Sequence, residues 1–216
     1  MAKYFNYFPK TLYTANNSTT GLDSVTNIIA RFAFEKGLKE NSSAFYKYNV
    51  KDSDTPEIIA YKFYGSVERQ WVVLLFNDII DPQFDWPFES NQLITYIDEK
   101  YTANGAANTP AQSGLTWALS ENNVQGYFKV ITSTANDGTI TKEKITLDAD
   151  TYANVTIVSN TYTTQAGESV TVAVTKETQS YYTYEVEENE AKREINLIKA
   201  EFIPAIEKEF KRIIKQ

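Results

Sequence analysis

Three carboxylates, Asp78, Asp81 and Asp85, lie within eight residues of one another and are the nearest this chain comes to the facing acidic pair of a glycoside hydrolase. Asp52 and Asp54 open like an oxygen-ligand calcium loop, but no further acids follow at the spacing such a loop needs. Carboxylates in loops ordinarily cap helices and turns, and capping is the expected role of both groups. The chain has 216 residues with no Cys and no His. That excludes a thiolate nucleophile, a disulfide, a zinc finger and any imidazole general base. The expectation is a chain with no catalytic residue, no metal site and no cofactor.

The net charge of −7, from 28 acidic and 21 basic side chains, argues against a broad surface for nucleic acid or anionic lipid, because counterion release needs clustered cations. With 42% hydrophobic and 14% aromatic residues the chain is too apolar to be disordered throughout. The longest uninterrupted apolar run, Trp71 to Phe76, is far short of the ~20 residues of a spanning helix. The first residues break their aromatics with Asn6 and Pro9, unlike a secretory signal, so no membrane partner and an intracellular site of assembly are expected.

The elements that would position these residues follow from the local pattern. Tyr46, Tyr48 and Val50 alternate as a strand. Asp54 or Thr55 can cap a helix that starts at Pro56 and stops at Gly65. Ser66 can cap a second helix burying Trp71, Leu74 and Leu75, and Leu93 to Ile97 reads as a returning strand. The expected class is therefore α+β, with a βααβ core at 45–101 preceded by an extended, aromatic N-terminal arm at 1–44. Residues 102–180 are Thr-rich and predict an antiparallel β insertion, with strands at 126–132, 144–147, 154–158 and 169–174 and turns at Asn136-Asp137-Gly138 and Ala166-Gly167-Glu168. A Thr/Asn-rich loop is the alternative for this region, most of all from Thr102 to Gly114. In the charged tail, 181–216, one long helix and a strand followed by a helix both fit the pattern, and Pro204 argues against the single helix. The expectation there is a strand from about Arg193 to Lys199, then a helix from about Phe202 to Lys215 turning Ile206, Phe210, Ile213 and Ile214 inward.

The run from Tyr48 to Ala60, with its Asp-x-Asp-Thr-Pro-Glu, and Asn77 at the close of the second helix resemble a LysM domain. The resemblance implies a shallow groove between Asp52, Ser53, Asp54, Thr55 and Pro56 on one side and Ile79, Ile80, Asp81 and Pro82 on the other. A LysM groove of this kind takes N-acetylglucosamine polymers, which makes peptidoglycan or chitin-type glycan binding one of two readings. Ser53 stands where that family has Gly, and Trp86-Pro87-Phe88 replaces its usual approach to the last strand. With Tyr64-Gly65, Trp71, Asn77 to Pro82, Asp85-Trp86-Pro87, the lead Tyr4 to Tyr13 and the tail Asn189 to Ile195, the chain more closely resembles the LysM-like baseplate wedge proteins of T-even-type contractile-tailed bacteriophages.

This second resemblance implies a structural, non-enzymatic role in the virion, within the tail baseplate, after assembly in the host cytoplasm. The implied partners are other baseplate wedge proteins, including the lysozyme-like wedge protein and neighbouring wedge subunits, with multiple copies in a symmetric baseplate. The implied partner-binding residues are the two loops above, Trp86, and the aromatic arm residues Tyr4, Phe5, Tyr7 and Phe8, since an extended terminus can add to a partner's sheet edge or groove. In isolation the arm is expected to lack a surface to pack on and to order on binding. Trp71 is expected in the core, Trp86 either in the core or at an interface, and Lys192 and Arg193 either solvated or paired with a partner's acids.

Overall fold

The computed structural model describes residues 4–14, 22–28, 33–165 and 167–214. In chain order, a 3-10 turn at Tyr4–Tyr7 is followed by β1 (Lys10–Tyr13), β2 (Asp23–Thr26), α1 (Lys36–Glu40), β3 (Phe45–Asn49), α2 (Pro56–Tyr64), α3 (Gln70–Phe76) and α4 (Pro82–Asp85). Then come α5 (Ser90–Lys100), α6 (Thr102–Ala106), α7 (Gly114–Leu119), β4 (Val124–Ala135), β5 (Ile140–Leu147), α8 (Ala149–Asn154), β6 (Val158–Thr163) and β7 (Ser169–Ser180). The chain closes with α9 (Tyr181–Ala191), β8 (Glu194–Ile198) and α10 (Ile203–Ile214). The class is α+β with antiparallel sheets, as the sequence predicts. Two compact units form: Met1–Glu89 with Glu190–Gln216, and Ser90–Asn189.

The first unit is built on β3 and β8, antiparallel with Phe45 opposite Ile198 and Asn49 opposite Glu194. The returning strand therefore comes from the tail. Leu93–Ile97, expected as that strand, lies in α5, where Leu93 and Ile97, one helical turn apart, are buried while Ile94 is exposed. Local signals set α2: Pro56 sits at its start, the Thr55 hydroxyl accepts from the Ile58 N–H, and Gly65 ends it at φ 70°. Trp71 is buried as expected, but the inner face of α3 continues through Val72, Val73 and Phe76, with Leu74 and Leu75 only half-buried.

Pro204 falls in the first turn of α10, where it costs little. Ile203, Ile206, Phe210 and Ile214 point inward, whereas Ile213, expected beside them, is exposed. Lys215 lies outside the described residues. The start of the N-terminal arm also departs from expectation. Tyr4 stacks on Trp71 and Phe210 with ring centroids 5.4 and 5.2 Å apart, and Phe8 is buried. The Trp71–Phe210 pair supplies the surface that the sequence reading lacked.

In the second unit, α6 and the first residue of α7 fall in the stretch expected as strand or loop. A Cβ on Gly114 would lie 2.1 Å from the Asp98 carbonyl oxygen, so only glycine allows α7 to approach α5 this closely. The sheet has the order β5-β4-β7-β6. Gly138 turns between β4 and β5 at φ 85°, and Gly167 between β6 and β7 at φ 84°. The strand expected at 154–158 is a correction: Asp148 caps α8 by accepting from the Thr151 N–H at 2.9 Å, which keeps the chain helical to Asn154, and β6 starts only at Val158. The helix α9 was not foreseen; it carries the buried Glu185, which accepts from Lys100 Nζ at 2.7 Å and Tyr101 Oη at 2.6 Å.

Candidate partner-binding site

Two segments of the first unit frame the candidate site: the turn 51–56, between β3 and α2, and the segment 77–88, which follows α3. Asp54 anchors the first. Its buried carboxylate accepts from Tyr48 Oη at 2.5 Å, Lys62 Nζ at 2.6 Å and the Lys51 N–H at 3.3 Å. Burial pushes the Asp54 carboxyl up, but these three donors outweigh it and hold the group below the usual carboxylate range. Burial and the neighbouring carboxylate push the Tyr48 hydroxyl the other way, up to about 12.

The second segment is organised by its own acids. Asp81 caps α4 by accepting from the Gln83 N–H at 3.0 Å. Asp85 accepts from the Asp81 and Ile80 N–H groups at 2.9 and 3.1 Å, and these backbone bonds lower its pKa. A carboxylate held ionised in this way is unsuited to general-acid work, which needs a raised pKa. Asp78, at φ 57°, pairs with Lys39 at 2.5 Å. Capping accounts for Asp81 and Asp85, and an ion pair for Asp78. Among the described residues no group of three or more His, Cys, Asp or Glu could hold a metal ion.

Trp86 ties the two segments together. Its indole N–H donates to the Asp54 carbonyl at 3.0 Å, and the side chain is buried in the core. Replacing the indole by Phe keeps most of the apolar volume and removes this bond. Trp86→Phe should lower stability by about 1 kcal/mol, measured as a shift of the urea midpoint.

Asn77 holds the segment from behind, by a contact absent from the sequence reading. Its amide nitrogen donates to the Val73 and Asn196 carbonyls at 2.8 and 2.9 Å, and its carbonyl accepts from the Asn196 N–H at 2.8 Å. One side chain thus meets both backbone groups of a β8 residue and fixes the end of α3 against that strand. Asn77→Ala should cost about 2 kcal/mol in equilibrium unfolding, because it leaves several part-buried backbone groups without this partner.

Arg193 binds the turn as well, donating to Asp52 at 2.6 Å, Glu190 at 2.7 Å and the Val50 carbonyl at 3.2 Å. Lys192 donates to the Phe84 carbonyl at 2.7 Å. Both cations are thus engaged within their own unit.

These bonds divide the predicted residues into two layers. Asp54, Pro56, Ile79, Trp86 and Phe8 are buried, and Tyr4 and Tyr7 are half-buried. Asp52, Ser53, Thr55, Ile80, Asp81, Pro82 and Phe5 are exposed. Ile80 is 72% exposed, and Phe84, 48% exposed on the same segment, was missing from the sequence reading. No sequence signal separates Phe84 from Trp86, which lies between the same two prolines and is buried.

The first unit thus holds α2 and α3 with the β3–β8 pair and presents exposed Ile80 and Phe84 on a segment whose Asp81 and Asp85 accept from backbone N–H groups. The sequence profile of the Base plate wedge protein 53 family matches residues 3–213, and the chain belongs to that family. It is a structural component of the phage tail baseplate, associated with other baseplate components. The matched span takes in the Thr-rich region. No curated protein matches the chain.

Proposed function

We propose that this chain joins neighbouring wedges of a contractile-tail baseplate to one another and to inner-baseplate proteins, the lysozyme-like wedge protein among them, after assembly in the host cytoplasm. In this reading the βααβ framework is LysM-like, and its two loops serve as a protein-binding surface. Exposed Ser53, Thr55, Ile80, Asp81 and Pro82, with Phe5 from the N-terminal turn, meet the partner. Asp52, exposed and paired with Arg193, holds the edge of that surface, and Asp54, Pro56, Ile79, Trp86, Tyr4, Tyr7 and Phe8 hold it from behind and beneath. Multiple copies act in one symmetric particle.

The observation that carries this reading is the Trp86–Asp54 bond. It ties the two sides of the would-be glycan groove together with a buried indole and leaves the exposed Ile80 and Phe84 beside it, and apolar anchors of this kind favour a protein partner. Co-expression with the other wedge proteins of the same phage tests it. Ile80→Asp combined with Phe84→Asp should reduce recovery of the complex tenfold or more while far-UV circular dichroism stays unchanged. Recovery of the double variant at the level of the unmodified chain would refute the reading. So would saturable binding of chitin or muropeptide oligomers that is lost with Thr55→Ala.

A further inference from the structure

The four-stranded sheet of the second unit has two edges, and they differ in kind. The β5 edge carries Lys142, Glu143 and Lys144 in mid-strand. Charges of this sort guard an edge strand against pairing with another chain. The β6 edge, Val-Ser-Asn-Thr-Tyr-Thr, has no charge and no proline, and all six residues are exposed. The one register shift recorded in this sheet lies between β4 and β7, away from β6.

The face beside the open edge is also patterned. Residues opposite one another in an antiparallel sheet share a face. By register, Ile131, Val174 and Val158 form one cross-strand row, and Ala135, Val170 and Tyr162 another. Both rows run outward to β6, where Val158 is 40% and Tyr162 60% exposed. The opposite face of β6 presents Ser159, Thr161 and Thr163, with the Thr161 hydroxyl 3.0 Å from that of Thr171. One face of the strand carries Val158 and Tyr162 with Asn160 between them, the other is hydroxylic, and among the described residues the outer row of backbone groups has no partner strand.

We infer that β6 is a strand-addition site, completed in the assembled particle by an extended segment of another baseplate component. The geometry states the chemistry of that segment. It is about six residues long and uncharged, with apolar or β-branched side chains four positions apart to extend the Val158 and Tyr162 rows, a small polar side chain midway between these beside Asn160, and small polar side chains on the opposite face. Backbone hydrogen bonds supply the attachment and the apolar rows set the register. The inference rests on the baseplate role of the family and adds a surface separate from the 51–56 and 77–88 segments.

Hydrogen exchange by mass spectrometry, on the isolated full chain and on intact tails, tests it. About half of the β6 amides face outward, and these should exchange at least tenfold more slowly in tails, while peptides from 140–147 stay unchanged. Val158→Lys combined with Tyr162→Lys should cut incorporation into tails tenfold or more, and Thr141→Lys on the guarded edge should leave it unaltered. Protection of the β4 amides in the isolated variants reports that the sheet is folded. Equal β6 exchange in tails and in the isolated chain overturns the inference, as does normal incorporation of the folded double variant. A concentration-dependent dimer with protected β6 amides also overturns it, in favour of a second copy of this chain. If the chain is absent from tails the proposed function fails; if it is present with β6 unprotected, only this inference does.

Discussion

Phe210→Ala should destabilise the first unit by about 3–5 kcal/mol, the range for removing a buried aromatic ring. Phe210 is 2% exposed and lies against several rings at once: Trp71 at 4.7 Å between centroids, Tyr4 at 5.2 Å, Phe8 at 6.1 Å and Tyr7 at 6.2 Å. Its removal therefore opens a cavity in the core and takes away the surface on which the N-terminal turn is stacked. Urea unfolding followed by tryptophan fluorescence measures the first effect. Hydrogen exchange of residues 4–8 measures the second, and it should quicken by a larger factor than exchange in β3. A loss below about 1 kcal/mol, with unchanged exchange at the N-terminal turn, would mean that the ring cluster does not hold the arm.

How much of this was legible beforehand depends on the range of the interaction. Thr55, Pro56 and Gly65 delimit α2 through contacts within a few residues, and Pro204 places the start of α10 in the same way, so these features could be read directly. The partner of β3 could not. Leu93, Ile94 and Ile97 form a short apolar cluster that suits strand or helix, and helix wins because only Leu93 and Ile97 are buried. The true partner, β8, enters after a separate unit of about a hundred residues, and no local periodicity reports a pairing at that separation.

The site divides along the same line. The cap at Thr55 and the core position of Trp71 follow from spacing. The burial of Trp86 depends on an indole reaching a carbonyl 32 residues away, and the fate of Arg193 on a turn 141 residues away. The start of the arm packs on Phe210, which lies at the other end of the chain, so no local pattern reports that contact.

Asp54→Ala should cost about 3 kcal/mol, because it removes the shared acceptor of a phenol, an ammonium and a backbone N–H. Lys62 is half-exposed and regains water when its partner goes, which keeps the loss below that of a fully buried ion pair. Linkage predicts the shape of the pH profile. The Asp54 carboxyl is held below its unfolded value, so its contribution is complete above the ordinary carboxylate range and is lost as pH falls through the folded value. The Tyr48 hydroxyl is raised, so its contribution is complete below about pH 10 and is lost as pH rises towards about 12. Unfolding free energies measured against pH should therefore fall at both ends. In Asp54→Asn the slope below about pH 4 should flatten, and the alkaline fall should be smaller and end at lower pH, because the carboxylate that helps burial hold the Tyr48 proton is gone. An acid limb of unchanged slope would assign the low-pH loss to the exposed carboxylates that cap α4, α8 and the turns, leaving Asp54 a geometric anchor without an electrostatic share.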